Sequence, residues 1–528
     1  MSANSKSKVL ITNAIPYANG PLHLGHLIGY LHADFYKAFR TLQGDQCLHI
    51  CGSDVHGTPI MLHAREKSKT ETELWSSYKE SHLRILEGFQ IKFDVWGDTH
   101  STQHQKLVHQ VYKQLKLRGL IYNKTVPQFY DVQERMFLSD RLIKGTCPFC
   151  KAVQQYADAC EACGKSYSHN DLIEPKSMLS GHTPVMRESE HTFFKLSQFK
   201  HLFTEMPTYL SHEASKAMSF WEQKTLEDWC ISRDAPYYGI SMPDNPDKYF
   251  YVWFDAILAY ISLVPENDVW HPESRTEIYQ FVGKDIQYFH ALFWAAILKA
   301  TGRRLPTQII VNGFLSINSA KISKSRKGAV QEHVGAEEFL TSFDPEVYRF
   351  FVARRSTGSM ADINLDIEEM KHIYNHIVIG KIVNIASRSS TFFQNYFNNE
   401  LDVDYIHTYN RGTLLVRHAE ITQAYEQRKF HKVIEKVESL ADIVNKQFSD
   451  LEPWNLVHTD PQAVQRLCTS SLQHFYIIIR WLKPILPALY ERVRLYVKDN
   501  EELSWDNCIN PLTHKTISSF TSIAQRVK

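Results

Sequence analysis

Short, mostly apolar runs bounded by turn residues open the chain. Val9–Thr12 and Cys47–Cys51 are such runs, and a continuous apolar run of this length indicates a strand that is buried on both faces. Between them lie the turn-rich stretch Pro16–Pro21 and a helical pattern that starts near Leu22. A strand, a turn and a helix in this order predict a parallel sheet covered by helices.

The pattern changes twice further along. Residues 120–230 lack the strand–helix alternation and indicate an insertion, after which strands are predicted at Tyr249–Trp253, Ile278–Gly283 and Gln308–Gly313. From about residue 370 the pattern is helical nearly to the end, with an apolar stripe at Tyr374, Ile377, Val378, Ile382 and Ile385. We therefore predict an α/β fold, a Rossmann-type doubly wound parallel sheet split by an insertion and followed by an all-α helix bundle.

Composition narrows the class of protein but does not identify its binding partner. The 528 residues include 59 Lys and Arg against 58 Asp and Glu, and the formal charge of +1 neither supports nor excludes RNA binding through local patches. No apolar run approaches the roughly 18 residues of a membrane span, and residues 1–8 are not a signal-type apolar segment. We expect a cytoplasmic protein without membrane contact, whose nine cysteines are reduced thiols or metal ligands.

Two short motifs, far apart in the chain, carry residues suited to phosphate chemistry. His23-Leu24-Gly25-His26 lies at the predicted helix start, where unpaired backbone N–H groups favour anions and Gly25 leaves room for an adenine ring. The loop Lys321-Ile322-Ser323-Lys324-Ser325 is suited to closing over phosphates, although a solvated charge run has the same composition. Together they resemble the ATP-handling signatures of class I aminoacyl-tRNA synthetases, in which donors and cations meet the charge that develops on ATP.

Four cysteines form two C-x-x-C pairs, Cys147 with Cys150 and Cys160 with Cys163, separated by nine residues. In a reduced compartment this spacing predicts one tetrahedral Zn²⁺ held by four thiolates. Because four protein ligands leave no open position for a substrate, the zinc is expected to be structural. Two disulfides are the alternative, which a cytoplasmic location disfavours.

A series of motifs, in order from the first strand to about residue 510, resembles the methionyl-tRNA synthetases, a family of class I aminoacyl-tRNA synthetases. Besides the two ATP motifs and the cysteine knuckle, the resemblance is carried by residues 14–20 (AIPYANG), 231–236 (ISRDAP), 251–256 (YVWFDA) and 281–286 (FVGKDI). It implies a methionine–tRNA ligase, which joins methionine to ATP as methionyl-adenylate with release of pyrophosphate. The methionyl group then passes to the 3′ end of tRNA(Met), and Mg²⁺ is expected to accompany ATP.

The resemblance also implies roles for single residues. The catalytic residues would be His23, His26, Lys321 and Lys324. ATP would be bound by His23, Gly25, His26, Gly283, Asp285 and Lys324. Asp54 would hold the α-amino group of methionine, and aromatic rings in the side-chain pocket suit a thioether. The remaining methionine-site residues would be Ile15, Tyr17, Trp253, Ala256, Tyr260, Ile286 and His290. Without the resemblance, Trp253 would be interpreted as a core aromatic side chain.

In the helical region the resemblance implies that the CAU anticodon of the tRNA is read by Asn384, Arg388 and Trp454. Unstacked bases are commonly recognised by aromatic stacking and by hydrogen bonds to their edges. By themselves these residues would indicate a polar helix face and a surface tryptophan. Because the chain ends soon after this bundle, we expect a monomer. The sequence departs from the pattern of the family at Ile257, Ser319 and Ile322, and Ser53 stands where some members have a second acid next to the position of Asp54.

The implied domain organisation has five segments. The two halves of the Rossmann catalytic domain are residues 1–118 and 231–325, and the connective insertion with the zinc knuckle is 119–230. A stem-contact linker region at 326–370 and an α-helical anticodon-binding domain at 371–528 complete the chain.

Three other classes of protein share some of these motifs, and each differs from this chain in a feature that the sequence shows. Synthetases for leucine, isoleucine or valine carry a far larger insertion, and the cysteine enzyme grips its substrate thiolate with zinc, which a closed four-cysteine site does not allow. Nucleotidyltransferases with an H-x-G-H motif lack the insertion and the helical region. A tRNA-binding relative without activity would be expected to lack His23, His26 or Lys324, and all three are present.

Overall fold

The computed structural model describes most of the chain: residues 6–138, 142–157, 160, 163, 171–264, 269–317, 320–321, 335–402 and 411–528. For residues 320, 321 and 411 only the backbone is described. None of the helices in these ranges combines the length and the apolar character that crossing a lipid bilayer requires.

A five-stranded parallel sheet forms the centre of the molecule. Its strands in chain order are β1 Lys8–Asn13, β2 Gln46–Ser53, β3 Val95–Asp98, β4 Glu277–Gly283 and β5 Gln308–Asn312. The spatial order is β5–β4–β1–β2–β3, so the direction of winding reverses between β1 and β4. This is the predicted doubly wound sheet, and such sheets bind ligands at the carboxyl ends of the strands beside that reversal.

Amphipathic helices cover the sheet. The helix α1, Leu24–Leu42, buries Leu27, Leu31, Phe35 and Phe39, which recur every four residues and therefore share one face. The other helices of this part are Thr58–Glu66, Glu71–Gly88, Thr102–Leu117, Val252–Ala256, Ala259–Ser262 and Ala295–Ala300, the last preceded by a π-helical turn at Phe289–Trp294.

The region predicted as an insertion is built from antiparallel sheets. One sheet has the strand order Trp229–Cys230, Val185–Phe194, Ile121–Asp131 and Met136–Phe137. A second has the order Gln155–Tyr156, Ile143–Thr146 and Ile173–Ser177. The helical segments are Leu196–Phe199, Leu202–Glu205, Met206–Thr208 and His212–Glu222.

The strand predicted at Tyr249–Trp253 is wrong in both its extent and its sheet. The strand Asn245–Phe250 ends earlier and pairs antiparallel with Ser232–Asp234 and Ser241–Met242, outside the central sheet. The helix Val252–Ala256 follows at once and carries Trp253. A short apolar and aromatic run fits a buried helix as well as a strand, so its periodicity did not separate the two.

Beyond the central sheet the chain becomes helical. A small sheet of Leu315–Ile317, Ala320–Lys321 and Ile363–Leu365 stands beside the helices Ala336–Ser342 and Pro345–Arg355. The bundle then comprises Ile367–Ile373, a π-helical segment Tyr374–Val383, Asn384–Tyr396, Arg411–Glu426, Phe430–Asp450, Pro453–Leu456, Pro461–Leu482 and Pro487–Tyr496. All five residues of the predicted apolar stripe are buried. The last helix ends at Tyr496, and Lys498 just beyond it has a left-handed backbone (φ 55°), which cannot continue a helix. The expectation of a helical pattern nearly to the end of the chain is therefore wrong for residues 497–528.

A buried arginine joins the sheet domain to the helical bundle. The side chain of Arg349 is 1% exposed, and its guanidinium donates to Oδ2 of Asp34 on α1 at 2.7 Å. It also donates to the backbone oxygens of Phe89, Pro484 and Ile485 at 3.0, 3.0 and 2.8 Å. One guanidinium therefore supplies donors to a buried carboxylate and to three buried carbonyls, groups that are costly to bury without them.

We expect Arg349→Met to lower the free energy of unfolding by about 3–5 kcal/mol, because it removes the cation that is hydrogen-bonded to the buried Asp34 carboxylate. Urea denaturation measures this loss. The control is Arg354→Met on the same helix: Arg354 is 31% exposed and lies 3.6 Å from Glu435. An exposed pair of this kind contributes at most about 1 kcal/mol. Equal losses in the two variants would contradict the role of Arg349.

Candidate active site

A cavity of about 780 Å³ opens where β1, β2, β4 and β5 end. Asn13, Asp54, Gly283 and Asn312, each at or just after the end of one of these strands, line it. The carboxyl ends of parallel strands beside the winding reversal are where doubly wound folds bind ligands, and the volume suits a small-molecule site. The cavity is therefore the candidate active site.

The first helix places two histidines at one side of the cavity. His23 caps α1, its backbone N–H donates to Nδ1 of His26 at 3.1 Å, and the ring centroids are 3.7 Å apart. Between them, a Cβ atom on Gly25 would lie 3.0 Å from the His23 ring and 3.3 Å from Cβ of Leu315. Only glycine lets the ring and the strand approach so closely, and all three motif residues line the cavity at a helix N-terminus that favours anions.

The predicted ammonium ligand, Asp54, follows the end of β2 and lines the same cavity. Backbone hydrogen bonds from Ala18 N–H to Asp54 O at 2.8 Å and from Asp54 N–H to Pro16 O at 3.0 Å fasten the loop after β1 to the end of β2. The Oδ1 atom of Asp54 and the hydroxyl of Tyr17 are buried, and neither has a hydrogen-bond partner among the described residues.

Electrostatics make Asp54 receptive to a cation. Burial raises the pKa of Asp54 well above its usual value, and the negative charge of Asp255 raises it further. Burial also raises the pKa of Tyr17, with Asp54 as the next cause. A buried carboxylate oxygen without a donor is costly, and an ammonium group is a donor suited to such an oxygen.

The cavity that Asp54 lines also has an apolar wall. The ring of Trp253 stacks on that of Phe289, with centroids 4.1 Å apart and an angle of 6° between the planes. Ile15 and Ile286 also line the cavity. An acid beside a slot of aromatic and aliphatic side chains suits an α-amino acid with an apolar side chain.

Ala256, Tyr260 and His290 do not line the described part of the cavity, but they are buried near its apolar wall. The Tyr260 hydroxyl lies 2.8 Å from Nε2 of His290, whose Nδ1 lies 2.9 Å from the carbonyl oxygen of Ile286. With Nδ1–H donating to Ile286, the neutral ring accepts from Tyr260 at Nε2. Burial lowers the pKa of His290 to about 4, which keeps the ring neutral. These residues support the apolar wall on the side that faces away from the cavity.

The cavity also contains residues to which sequence reasoning assigned no role. Arg233 and Tyr251 line it, with the guanidinium 3.7 Å from the Tyr251 ring centroid, and so do Tyr237 and Phe289. Arg233 and Tyr251 belong to the motifs at residues 231–236 and 251–256, and Phe289 directly precedes the predicted His290. Proximity in sequence to predicted site residues is therefore the signal that could have identified these cavity residues.

The second ATP motif is only partly described. The predicted residue Lys324 lies outside the described residues, as do Ser319 and Ile322. Lys321 belongs to the strand Ala320–Lys321, which pairs antiparallel with Leu315–Ile317, and Leu315 lines the cavity. The motif therefore starts beside the cavity wall.

The four knuckle cysteines converge in space. Their sulfur atoms all lie within 4.8 Å of one another, with 3.9 Å between Cys147 and Cys163 and 3.5 Å between Cys150 and Cys160. A tetrahedral ZnS₄ centre with Zn–S near 2.3 Å requires separations of about 3.8 Å, whereas a disulfide requires about 2.05 Å. Backbone N–H groups of Cys150 and Cys163 point at the sulfurs of Cys147 and Cys160. The donors fit a metal ion and do not form disulfides.

The three residues predicted to read an anticodon are associated with one end of a bundle helix. Asn384 donates to the side chain of Asn445 at 3.4 Å, and Arg388 donates to Ser449 at 3.2 Å, both on the helix Phe430–Asp450. Trp454 follows that helix closely in the chain and is 50% exposed.

The family model, the curated relatives and the solved structure that resemble this chain agree with one another. The family described as tRNA synthetases class I (M) matches residues 9–390. Methionine–tRNA ligases from Francisella tularensis subsp. holarctica (strain OSU18) and subsp. tularensis (strain WY96-3418) are each 39% identical, over 99% of this chain and 79% of theirs. The Mycobacterium tuberculosis methionyl-tRNA synthetase in complex with methionyl-adenylate has the same fold, with a TM-score of 0.78 at 20% identity over 98% of this chain and 99% of that one.

The buried His290 predicts a pH dependence of stability. Its pKa is about 4 when folded and about 6.5 in an unfolded chain, so only the unfolded state takes up the proton between these values. The free energy of unfolding therefore falls as the pH falls from 6.5 towards 4. We expect His290→Gln to remove up to about 2 kcal/mol of the loss between pH 7 and pH 5, measured by urea denaturation.

The control for this measurement is His201→Gln, since the side chain of His201 is 55% exposed. It should leave the difference between pH 7 and pH 5 unchanged. A parent-like pH difference in His290→Gln would show that His290 is protonated equally in both states.

Proposed function

Because this chain belongs to the tRNA synthetases class I (M) family, we propose that it is a methionine–tRNA ligase. It activates methionine with ATP to methionyl-adenylate and pyrophosphate, and then transfers the methionyl group to the 3′ end of tRNA(Met) for initiation and elongation of protein synthesis. The observation that carries the proposal is the buried Oδ1 of Asp54, which has no hydrogen-bond partner among the described residues, in one cavity with the stacked Trp253–Phe289 pair and the histidine pair of α1.

In this proposal methionine lies between the acid and the aromatic wall. Its ammonium group supplies the donor that the buried Oδ1 of Asp54 lacks. Its thioether contacts the rings of Trp253 and Phe289, a contact worth about 0.3–1.5 kcal/mol. Ile15, Tyr17 and Ile286 border the substrate, while Ala256, Tyr260 and His290 support the wall from behind. The substrate carboxylate is then left free to react.

ATP occupies the histidine side of the cavity. The methionine carboxylate attacks the α-phosphate, pyrophosphate leaves, and the negative charge that develops is met by donors of the helix N-terminus, His23 and His26. Gly25 gives the adenine ring access to the backbone, and Gly283 and Asp285 border the ribose. Lys321 and Lys324 add positive charge from their loop, and Mg²⁺ enters with ATP. Catalysis is positioning and charge stabilisation, without a covalent enzyme intermediate.

The helical region provides the contact with tRNA(Met). Asn384, Arg388 and Trp454 read the anticodon, and the half-exposed Trp454 ring suits stacking on an unpaired base. The segments 1–118 and 231–325 form the catalytic domain, 119–230 the insertion, 326–370 the stem-contact region and 371–528 the anticodon-binding domain. We propose that the working unit is a monomer.

The knuckle holds one structural Zn²⁺. Four thiolates from Cys147, Cys150, Cys160 and Cys163 complete a tetrahedral shell, so the ion stabilises the fold of the insertion and takes no part in the reaction.

Amino-acid-dependent ATP–pyrophosphate exchange tests the substrate. Among the twenty amino acids, we expect methionine to support exchange most efficiently. Asp54→Asn should raise KM for methionine at least about 30-fold, because a charged partner of the ammonium worth about 2 kcal/mol or more is lost. Asp244→Asn is the control, since Asp244 pairs with Lys116 at the surface, outside the cavity lining. Exchange that depends on leucine would overturn the assignment.

Metal analysis tests the knuckle. After dialysis against a chelator too weak to strip a four-thiolate site, we expect one zinc per chain in the parent protein and less than about half as much in Cys150→Ser. Cys47→Ser, a substitution of a cysteine outside the knuckle, should keep the full zinc content. Undiminished zinc in Cys150→Ser would contradict the four-cysteine site.

A further inference from the structure

A cluster of buried polar side chains packs next to the methionine site without lining the described cavity. Asp255 and His56 are fully buried, and Nδ1 of His56 lies 3.2 Å from Oδ2 of Asp255. Nε2 of His56 lies 3.1 Å from Nδ1 of His100. His104, also fully buried, approaches the other oxygen of Asp255 to 3.9 Å.

The contact between His56 and Asp255 joins segments that are 199 residues apart in sequence. His56 follows Asp54 by two residues, in the loop at the carboxyl end of β2. Asp255 follows Trp253 by two residues, on the helix Val252–Ala256. Each partner therefore stands two residues from a side chain that lines the cavity. One hydrogen bond links the acidic half of the methionine site to its aromatic half.

The two ring nitrogens of His56 have complementary partners. Nδ1–H donates to Asp255, which leaves Nε2 to accept a hydrogen bond from Nδ1–H of His100. The ring of His100 is in turn stacked on Tyr238, with centroids 5.6 Å apart and 13° between the planes. Both ring nitrogens of His56 thus have a partner, and the orientation of the ring is fixed.

The hydrogen bond between His56 and Asp255 also gives the two buried carboxyl groups, Asp54 and Asp255, different electrostatic surroundings. Burial raises the pKa of Asp54 and of Asp255, and the charge of Asp255 raises that of Asp54 further. His56 opposes the effect of burial on Asp255. A donor on Asp255 stabilises its negative charge locally, which leaves Asp54 as the carboxylate that faces the ammonium of a substrate.

We propose that His56 is a positioning residue for methionine: its hydrogen bond to Asp255 holds the Asp54 loop and the Trp253 helix at the separation that one methionine spans. The inference rests on the proposed function, because it concerns the amino-acid half of that site. A polar cluster that served only to stabilise the core would not distinguish between the two substrates of the first step.

The experiment compares KM values for methionine and for ATP in pyrophosphate exchange. A hydrogen bond to a charged group contributes about 1.5–3 kcal/mol, so His56→Ala should raise KM for methionine roughly 10- to 150-fold. KM for ATP should change less than about twofold, because the histidine pair assigned to ATP is held by α1, a different segment from the two that the His56–Asp255 bond joins. His56→Asn places an amide donor near the position of Nδ1 and should restore most of the methionine affinity.

His104→Asn is the matched control. His104 has the same burial beside the same carboxylate, but it lies on the helix Thr102–Leu117 and not on the Asp54 loop. Its KM for methionine should stay within about twofold of the parent value. Equal increases of both KM values in His56→Ala, or an equal methionine defect in His104→Asn, would overturn the positioning role.

A second pair of variants keeps the test decisive if His56→Ala does not fold, as judged by circular dichroism. His56→Gln reaches towards His100 but loses the donor near Nδ1, so its KM for methionine should exceed that of His56→Asn about tenfold. Equal values would overturn the proposal. Failure of the parent protein to exchange with methionine would instead refute the proposed function, and it is measured first.

Discussion

Strand β1 pairs with β2 on one side and with β4 on the other, and the candidate active site depends on this double pairing. Inside the sheet, the Gln280 side chain donates to Thr12, 268 residues earlier, and accepts a hydrogen bond from Trp294. These buried contacts align the strand ends. Asp54, from one half of the chain, thereby meets Trp253, from the other, in a single cavity.

Much of this arrangement was predictable from local pattern. Val9–Thr12 and Cys47–Cys51 are continuous apolar runs flanked by turns, and both are strands of the central sheet. The family, the enzyme class and the fold class inferred from the motifs are confirmed by the relatives. The individual site roles remain predictions, although the structure brings His23, Asp54 and Trp253 to one cavity.

What could not be predicted depends on contacts between distant residues. The run at Tyr249–Trp253 satisfies strand and helix equally, and the choice follows from antiparallel pairing with Ser232–Asp234. Arg233 and Phe289 carry no chemical signature by themselves, and only the folded chain places them in the cavity wall. Likewise, no spacing rule connects His56 with Asp255, because their partnership exists only across the insertion.

The buried Arg349 has a consequence for how this chain can be divided. The apolar core beneath α1 continues without a break into the helical bundle, where Phe39 stacks on Tyr425 with centroids 5.0 Å apart. A cut between the sheet domain and the bundle would strip the cover from this core and expose Asp34 without its cation. The sheet domain and the helical bundle are therefore not independent modules joined by a linker. They share one interior, so neither can be exchanged for a foreign counterpart without rebuilding the surface of the other.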